Sequence, residues 1–271
     1  VAMIQTNLQA TLATSEIEPQ QRQQLQLIER LTQRLGRLVD NLLFLARQDS
    51  GIAQVQKTQV LLDEVLLEVL EEQMTPAATK QITLDFQLPE QPELHDRDFA
   101  VWGDRDQLIR LFTNLVSNAL QYTPMSGQVT VQLGLGTNQK MTYPKSSGQK
   151  FSGQKTTSHN NPAQRPPQAG SETIQIKIRD TGIGIQADSL PHIFERFYRV
   201  DPARSSRPNA EISGSTSNGT GLGLAIAQSI VQTHQGMIQI QSELEHGTCV
   251  SVTLPLLPQA QVDSLIQISP D

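Results

Sequence analysis

The apolar residues of this chain change their period near residue 58, and that change divides it in two. Before it, Ile28, Leu31, Leu35, Leu38, Leu42 and Leu45 recur at alternating steps of three and four, the spacing that lines one seam of a helix. Val1, Ile4, Leu8 and Leu12 repeat the pattern upstream, and residues 15–20, with Pro19, read as a short connection. The expectation is an all-α helical hairpin over residues 1–52, with Gly51 just beyond the helix end. Gly36 inside the second helix costs about 1 kcal/mol against alanine, which tertiary or subunit packing can offset. Two short helices bury little, so a homodimer closing a four-helix bundle is the natural partner for the seam. Packing on the chain's own second domain is the alternative.

After residue 58 helical and alternating patterns succeed one another. Leu62, Val65, Leu66, Val69, Leu70 and Met74 predict an amphipathic helix, and Ile82, Leu84, Phe86 and Leu88 a strand. Then follow a helix over 104–123, strands over 128–135 and 173–179, a helix over 222–234, and strands near 237–242 and 248–254. Strands follow one another without helices at 128–179 and again after 236, which excludes a doubly wound sheet. The predicted class is an α+β two-layer sandwich over 58–257, a mixed sheet with helices on one face. Residues 136–172 are polar and repeat Ser-Gly-Gln-Lys, so they read as a disordered insertion; residues 258–271 form a C-terminal tail.

Composition removes several classes of function. With 271 residues, 37% of them hydrophobic, the chain can bury a core without disulfides, and its net charge of −6 gives no broad cationic surface for nucleic acid. No apolar run approaches the roughly 20 residues of a membrane span, so a cytoplasmic location is expected. Cys249, in the alternation Cys249-Val250-Ser251-Val252, reads as a strand-core thiol.

Three elements carry chemistry. On helix 104–123, Asp104 and Gln107 resemble a capping box, and Leu108, Leu111, Phe112, Leu115, Ala119 and Leu120 form the buried stripe. Asn114, Asn118 and Gln121 fall along one edge of it, where amide oxygens could face a phosphate-bound hard cation such as Mg²⁺. Next, Asp180-Thr181-Gly182-Ile183-Gly184-Ile185 follows a strand. Its glycines permit close backbone approach, and its carboxylate can accept from an exocyclic amine such as adenine N6. Gly182, Gly184 and Ala187 also fit a dinucleotide fingerprint, but that motif must open a long helix, and Pro191 and the Phe194–Arg199 run intervene. Finally, Gly219-Thr220-Gly221-Leu222-Gly223-Leu224 opens a helix whose N-terminal amides suit an anion. Residues 200–218, polar and glycine-rich, read as a lid.

Taken in order, Asn114 and Asn118, Asp180-x-Gly182-x-Gly184, Phe194-x-x-Phe197, Gly219-x-Gly221-x-Gly223 and Gly247-Thr248 closely resemble the motif boxes of two-component sensor histidine kinases. These belong to the gyrase, chaperone and kinase ATPase (GHKL) superfamily. Residues 1–50 look like that family's dimerisation and phosphotransfer hairpin. The resemblance implies ATP and Mg²⁺ as cofactors, histidine phosphorylation followed by transfer to the receiver domain of a response regulator, and Asp180 as the adenine-amine acceptor. It also implies a metal-ligating Asn118, with Asn114 near the phosphates and Tyr122 flanking the nucleotide. Ile185, Phe197, Thr220, Leu222 and Thr248 complete the pocket around the glycines, and Arg199 reaches toward the γ-phosphate.

Two departures stand out. Gln121 lies where the family often has a cation, for which Arg204 could compensate. The family's acceptor histidine lies ahead of the residue that Val1 resembles, and all five histidines here fall outside the hairpin, where they read as surface residues. Autophosphorylation by this chain is therefore not expected. Two other functions are weighed against the kinase: a serine kinase or ATPase on the same fold, and a non-catalytic nucleotide-binding and regulator-docking module.

Overall fold

A computed structural model describes Met3 and residues 19–51, 55–89, 99–136, 173–200 and 220–257. It divides into two compact units, Val1–Gln54 and Val55–Asp271. In the first, helix α1 spans Pro19–Asp49, so it starts inside the expected connection. Proline is suited to a first turn, where its missing N–H has no partner to lose. Gly51 takes φ +66° beyond the helix end, and its N–H donates to the Gln48 carbonyl. Four seam residues, Ile28, Leu31, Leu35 and Leu42, remain exposed. The earlier helix expected over Val1–Leu12 lies outside the described residues except for Met3, which is helical.

The second unit runs β1 (Thr58–Leu61), α2 (Leu62–Thr79), β2 (Thr83–Gln87), β3 (Ala100–Gly103), α3 (Arg105–Tyr122), β4 (Gln128–Gly136), β5 (Thr173–Asp180), α4 (Gly223–Thr233), β6 (Met237–Glu243) and β7 (Gly247–Pro255). Five strands form a sheet ordered β2-β4-β5-β7-β6, parallel between β2 and β4 and antiparallel elsewhere. Its register aligns apolar rows. Phe86, Val131, Ile178, Val250 and Ile240 form one, and Leu133, Ile176, Val252 and Ile238 the next. All but the half-buried Phe86 are buried, and helices α2, α3 and α4 cover that face. The opposite face carries Gln132, Lys177, Arg179, Ser251 and Gln239, so the two-layer sandwich with helices on one face is the observed architecture.

Several expectations need correction. Strands β1 and β3 pair as a separate ribbon that periodicity does not announce, because each has only four residues. Met74 is 61% exposed: it lies one turn past Leu70, already at the margin of the stripe, and the buried face continues to Ala77. Cys249 is half-buried on the open face, paired with Arg179 and Gln241, because strand alternation gives the core side to Val250 and Val252. Burial pushes its thiol pKa up, so it is not an activated nucleophile.

His234 is the fourth correction, since it is 5% exposed rather than on the surface. Its Nδ1–H donates to the Ile230 carbonyl, which leaves Nε2 to accept the Asp104 N–H at 3.0 Å. The Asp104 side chain accepts from the Gln107 N–H, so the N-cap forms, but the reciprocal half of a capping box is taken over by His234. One neutral imidazole thus ties the end of α4 to the start of α3. Burial holds its pKa below 6.5, with Lys57 acting in the same sense and the Ile230 bond and Asp104 opposing. Above 6.5 the ring is neutral in both folded and unfolded chains. As pH falls through that value the unfolded chain binds a proton that the folded chain refuses, so stability declines. Denaturant titrations at pH 7.5 and 5.5 should show this loss in the wild type and less of it in His234→Ala. That variant also loses about 1–3 kcal/mol at pH 7.5 from the unpaired Asp104 N–H.

Candidate nucleotide site

The site begins where the apolar rows stop. Period two along β5 puts Ile174, Ile176 and Ile178 on the core face, and Asp180 continues the series at 7% exposure. An aliphatic residue there would contribute about 1.5–3 kcal/mol. A carboxylate forfeits that and adds a desolvation cost, so stability does not explain it.

Its hydrogen bonds show how it is tolerated. Asp180 Oδ1 accepts the Gly182 N–H at 2.8 Å and the Thr248 N–H at 3.2 Å. Among the described residues no hydrogen bond falls on Oδ2, which is left as an acceptor. Burial raises the Asp180 pKa, while the two backbone donors pull it down. The folded state therefore holds the proton more tightly than the unfolded one, and ionised Asp180 subtracts from stability near neutral pH.

The glycines bring the surrounding turns close. Gly184, at φ +69°, has no room for a Cβ, which would overlap the Glu243 carbonyl oxygen. A Cβ on Gly182 would lie 2.6 Å from the Tyr122 carbonyl oxygen, which accepts the Ile183 N–H. Gly184 is followed by a loop and a short 3₁₀ turn at Leu190–His192 rather than a long helix, in keeping with the rejection of the dinucleotide fingerprint.

The third motif reaches the same helix. Gly223 opens α4, and a Cβ there would sit 3.6 Å from Asn118 Nδ2 and 3.8 Å from Asn114 Oδ1. Asn114 Nδ2 and Gln121 Nε2 are buried and donate to no described residue. For Asn114, a buried amide donor left without an acceptor beside the N-terminus of a helix suits the oxygens of a polyphosphate. Leu222 anchors the turn in the core. Gly221, at φ +72°, accepts the Phe197 N–H at 2.9 Å through its carbonyl. Phe197 is exposed and itself at φ +64°.

The contacts form three groups: Asn114 and Asn118 with Gly223; Phe197 with Gly221; and Tyr122, Gly182, Asp180 and Thr248, which Ser242 joins to Ile185, while Gly184 packs on Glu243. Thr220 and Leu222 lie on the Gly221 turn. Arg199 is exposed two residues past Phe197. Arg204, Gly219 and the 200–218 lid beyond Val200 lie outside the described residues, as do 137–172 and 258–271. Two residues escape sequence reasoning. Lys80 donates to the Leu120 and Gln121 carbonyls at the end of α3, and Ser242 bonds both the Ile185 and Thr248 segments. A lysine after one helix and a serine in a strand give no motif signal.

Residues 103–258 match the family of histidine kinase-, DNA gyrase B- and HSP90-like ATPases. The chain belongs to that family. Among similar proteins, it is 31% identical over 242 residues to the sensor histidine kinase RppB of Synechocystis, covering 89% of this chain and 42% of that one. It is 34% identical over 229 residues to the sensor protein SphS of Synechococcus elongatus, covering 84% and 45%. The chain therefore spans less than half the length of these relatives. In fold it resembles full-length ShkA in complex with AMPPNP, at TM-score 0.60 and 18% identity over 94% of this chain and 45% of that one. It also resembles the histidine kinase AdeS of Acinetobacter baumannii, at TM-score 0.54 and 17% identity over 94% of both. This ATPase domain is homologous to those of sensor histidine kinases, which favours the kinase reading over the serine kinase and the non-catalytic module. Among the described residues no helix is long and apolar enough to cross a membrane.

Gly184→Ala should lower stability by about 1–3 kcal/mol, the cost of a strained left-handed residue, and open the turn beside Asp180. Gly134→Ala is the control: its Cβ would meet nothing within 4 Å, and its melting temperature should hold or rise.

Proposed function

We propose that this chain binds Mg-ATP between α3, α4 and the Asp180 turn, and that it is the catalytic portion of a histidine kinase. The observation that carries the reading is the free Oδ2 of a buried carboxylate at the end of a core-facing strand row, whose turn packs on Tyr122 of the same helix that carries Asn114 and Asn118 against Gly223. Asp180 accepts the adenine amine. Asn118 offers its amide oxygen to Mg²⁺, and Asn114 and the α4 N-terminus donate to phosphate oxygens. Gln121, uncharged, adds an amide donor in place of a cation. Bound ATP would supply the γ-phosphoryl group, whose bond to the bridging oxygen breaks as an imidazole nitrogen attacks. Arg199 and Arg204 would stabilise charge on the equatorial oxygens.

No histidine occurs in residues 1–51, so the test supplies the acceptor separately. The exposed seam of α1 supports a homodimer, and a response regulator receiver domain would take the phosphoryl group onward. Incubation with ATP and a separate histidine-bearing hairpin should label that hairpin and leave this chain unlabelled. Labelling of a serine substrate instead would contradict the assignment.

Asp180→Asn keeps an oxygen for the Gly182 and Thr248 amides but turns the outer atom from acceptor to donor. Calorimetric titration should show Mg-ATP affinity falling by about tenfold to a hundredfold, while the melting temperature at pH 7 is equal or higher because a buried charge is gone. Unchanged affinity would remove the adenine-reading role.

A further inference from the structure

The core face of the sheet has a third row, apolar at Leu84 and the buried Val129 but polar across its other three strands. Beyond Ile178, Val250 and Ile240 come Asp180 on β5, Thr248 on β7 and Ser242 on β6, with Ser242 paired to Thr248 in the register. Thr248 N–H donates to Asp180 Oδ1, and the hydroxyls of Thr248 and Ser242 meet at 2.9 Å. Ser242 Oγ also donates to the Gly247 carbonyl at 2.9 Å and accepts the Ile185 N–H at 2.8 Å.

A serine hydroxyl has one proton and two acceptor positions. The proton goes to Gly247, and one acceptor position is taken by Ile185. The bond to Thr248 therefore requires Thr248 to be the donor. In that arrangement the Thr248 proton is spent on Ser242, and its oxygen has only lone pairs left to offer.

We propose that Ser242 is a specificity-positioning residue, which locks the Thr248 hydroxyl as an acceptor so that, with Asp180, the site favours a 6-amino purine over a 6-oxo purine. The inference rests on the nucleotide site assigned above and adds a residue that does not touch the base. A Thr248 hydroxyl free to rotate could donate to a 6-oxo group; one held by Ser242 cannot.

The test compares ATP with inosine triphosphate, which carries oxygen in place of the 6-amino group, by calorimetric titration of the full chain with Mg²⁺. The wild type prefers ATP; absence of that preference would overturn the nucleotide assignment itself. In Ser242→Ala the ATP-to-ITP affinity ratio falls by about tenfold, and Ser242→Thr, which keeps the hydroxyl, restores it. A purely structural role would weaken both nucleotides equally, so a ratio within about twofold of wild type in a folded Ser242→Ala would overturn the inference. Should that variant fail to fold, Thr248→Val reads the same hydroxyl from its other end. It keeps the backbone N–H to Asp180, and an unchanged ratio there would overturn the inference equally.

Discussion

A carboxylate placed where a sheet's apolar row should continue is the constraint around which this unit is arranged. Asp180 can be buried there because two backbone N–H groups, from Gly182 and Thr248, reach one of its oxygens. One donor comes from the turn after β5 and the other from the start of β7, and both segments must come very close. Gly247, at φ +92°, leaves no room for a Cβ against the Asp180 carbonyl oxygen, and Gly184 leaves none against Glu243. The glycines are thus the condition for bringing both segments onto one carboxylate. The second oxygen is left without a backbone donor.

The phosphate side depends on a different contact, the pairing of α3 with α4. Asn114 and Asn118 project from α3 toward Gly223, and the distance between the two helices is held at the far end by His234. Tyr122 at the end of α3 abuts Gly182, so the same helix carries the amides and braces the adenine turn. A single rigid element therefore spans both halves of the site, and the two-layer packing serves binding as directly as it serves stability.

The long helices and the five-strand sheet were legible in the sequence because their apolar periods are strong. Asp104, Asp180 and the glycine pairs were legible because each signals a local conformation or a donor set. Strands β1 and β3 were not, since four residues carry too little alternation. The ends of α2 and α4 carry no glycine signal either: Gln81 and Gln235 take the left-handed conformation at φ 56° and 58°. The N–H groups of Ile82 and Gly236 then bond back to Ala77 and Val231. His234 and Ser242 each depend on a partner distant in sequence, Asp104 and Ile185, and no local pattern reveals those links.

The central claim is that a base, rather than the phosphates alone, is read at Asp180. Amide ¹H–¹⁵N spectra of the chain titrated with adenosine, which has no phosphate, address it most directly. Saturable shifts should appear at Gly182, Ile183 and Thr248. Adenosine that leaves those amides unmoved, or moves only Gly221 to Leu224, would contradict the account.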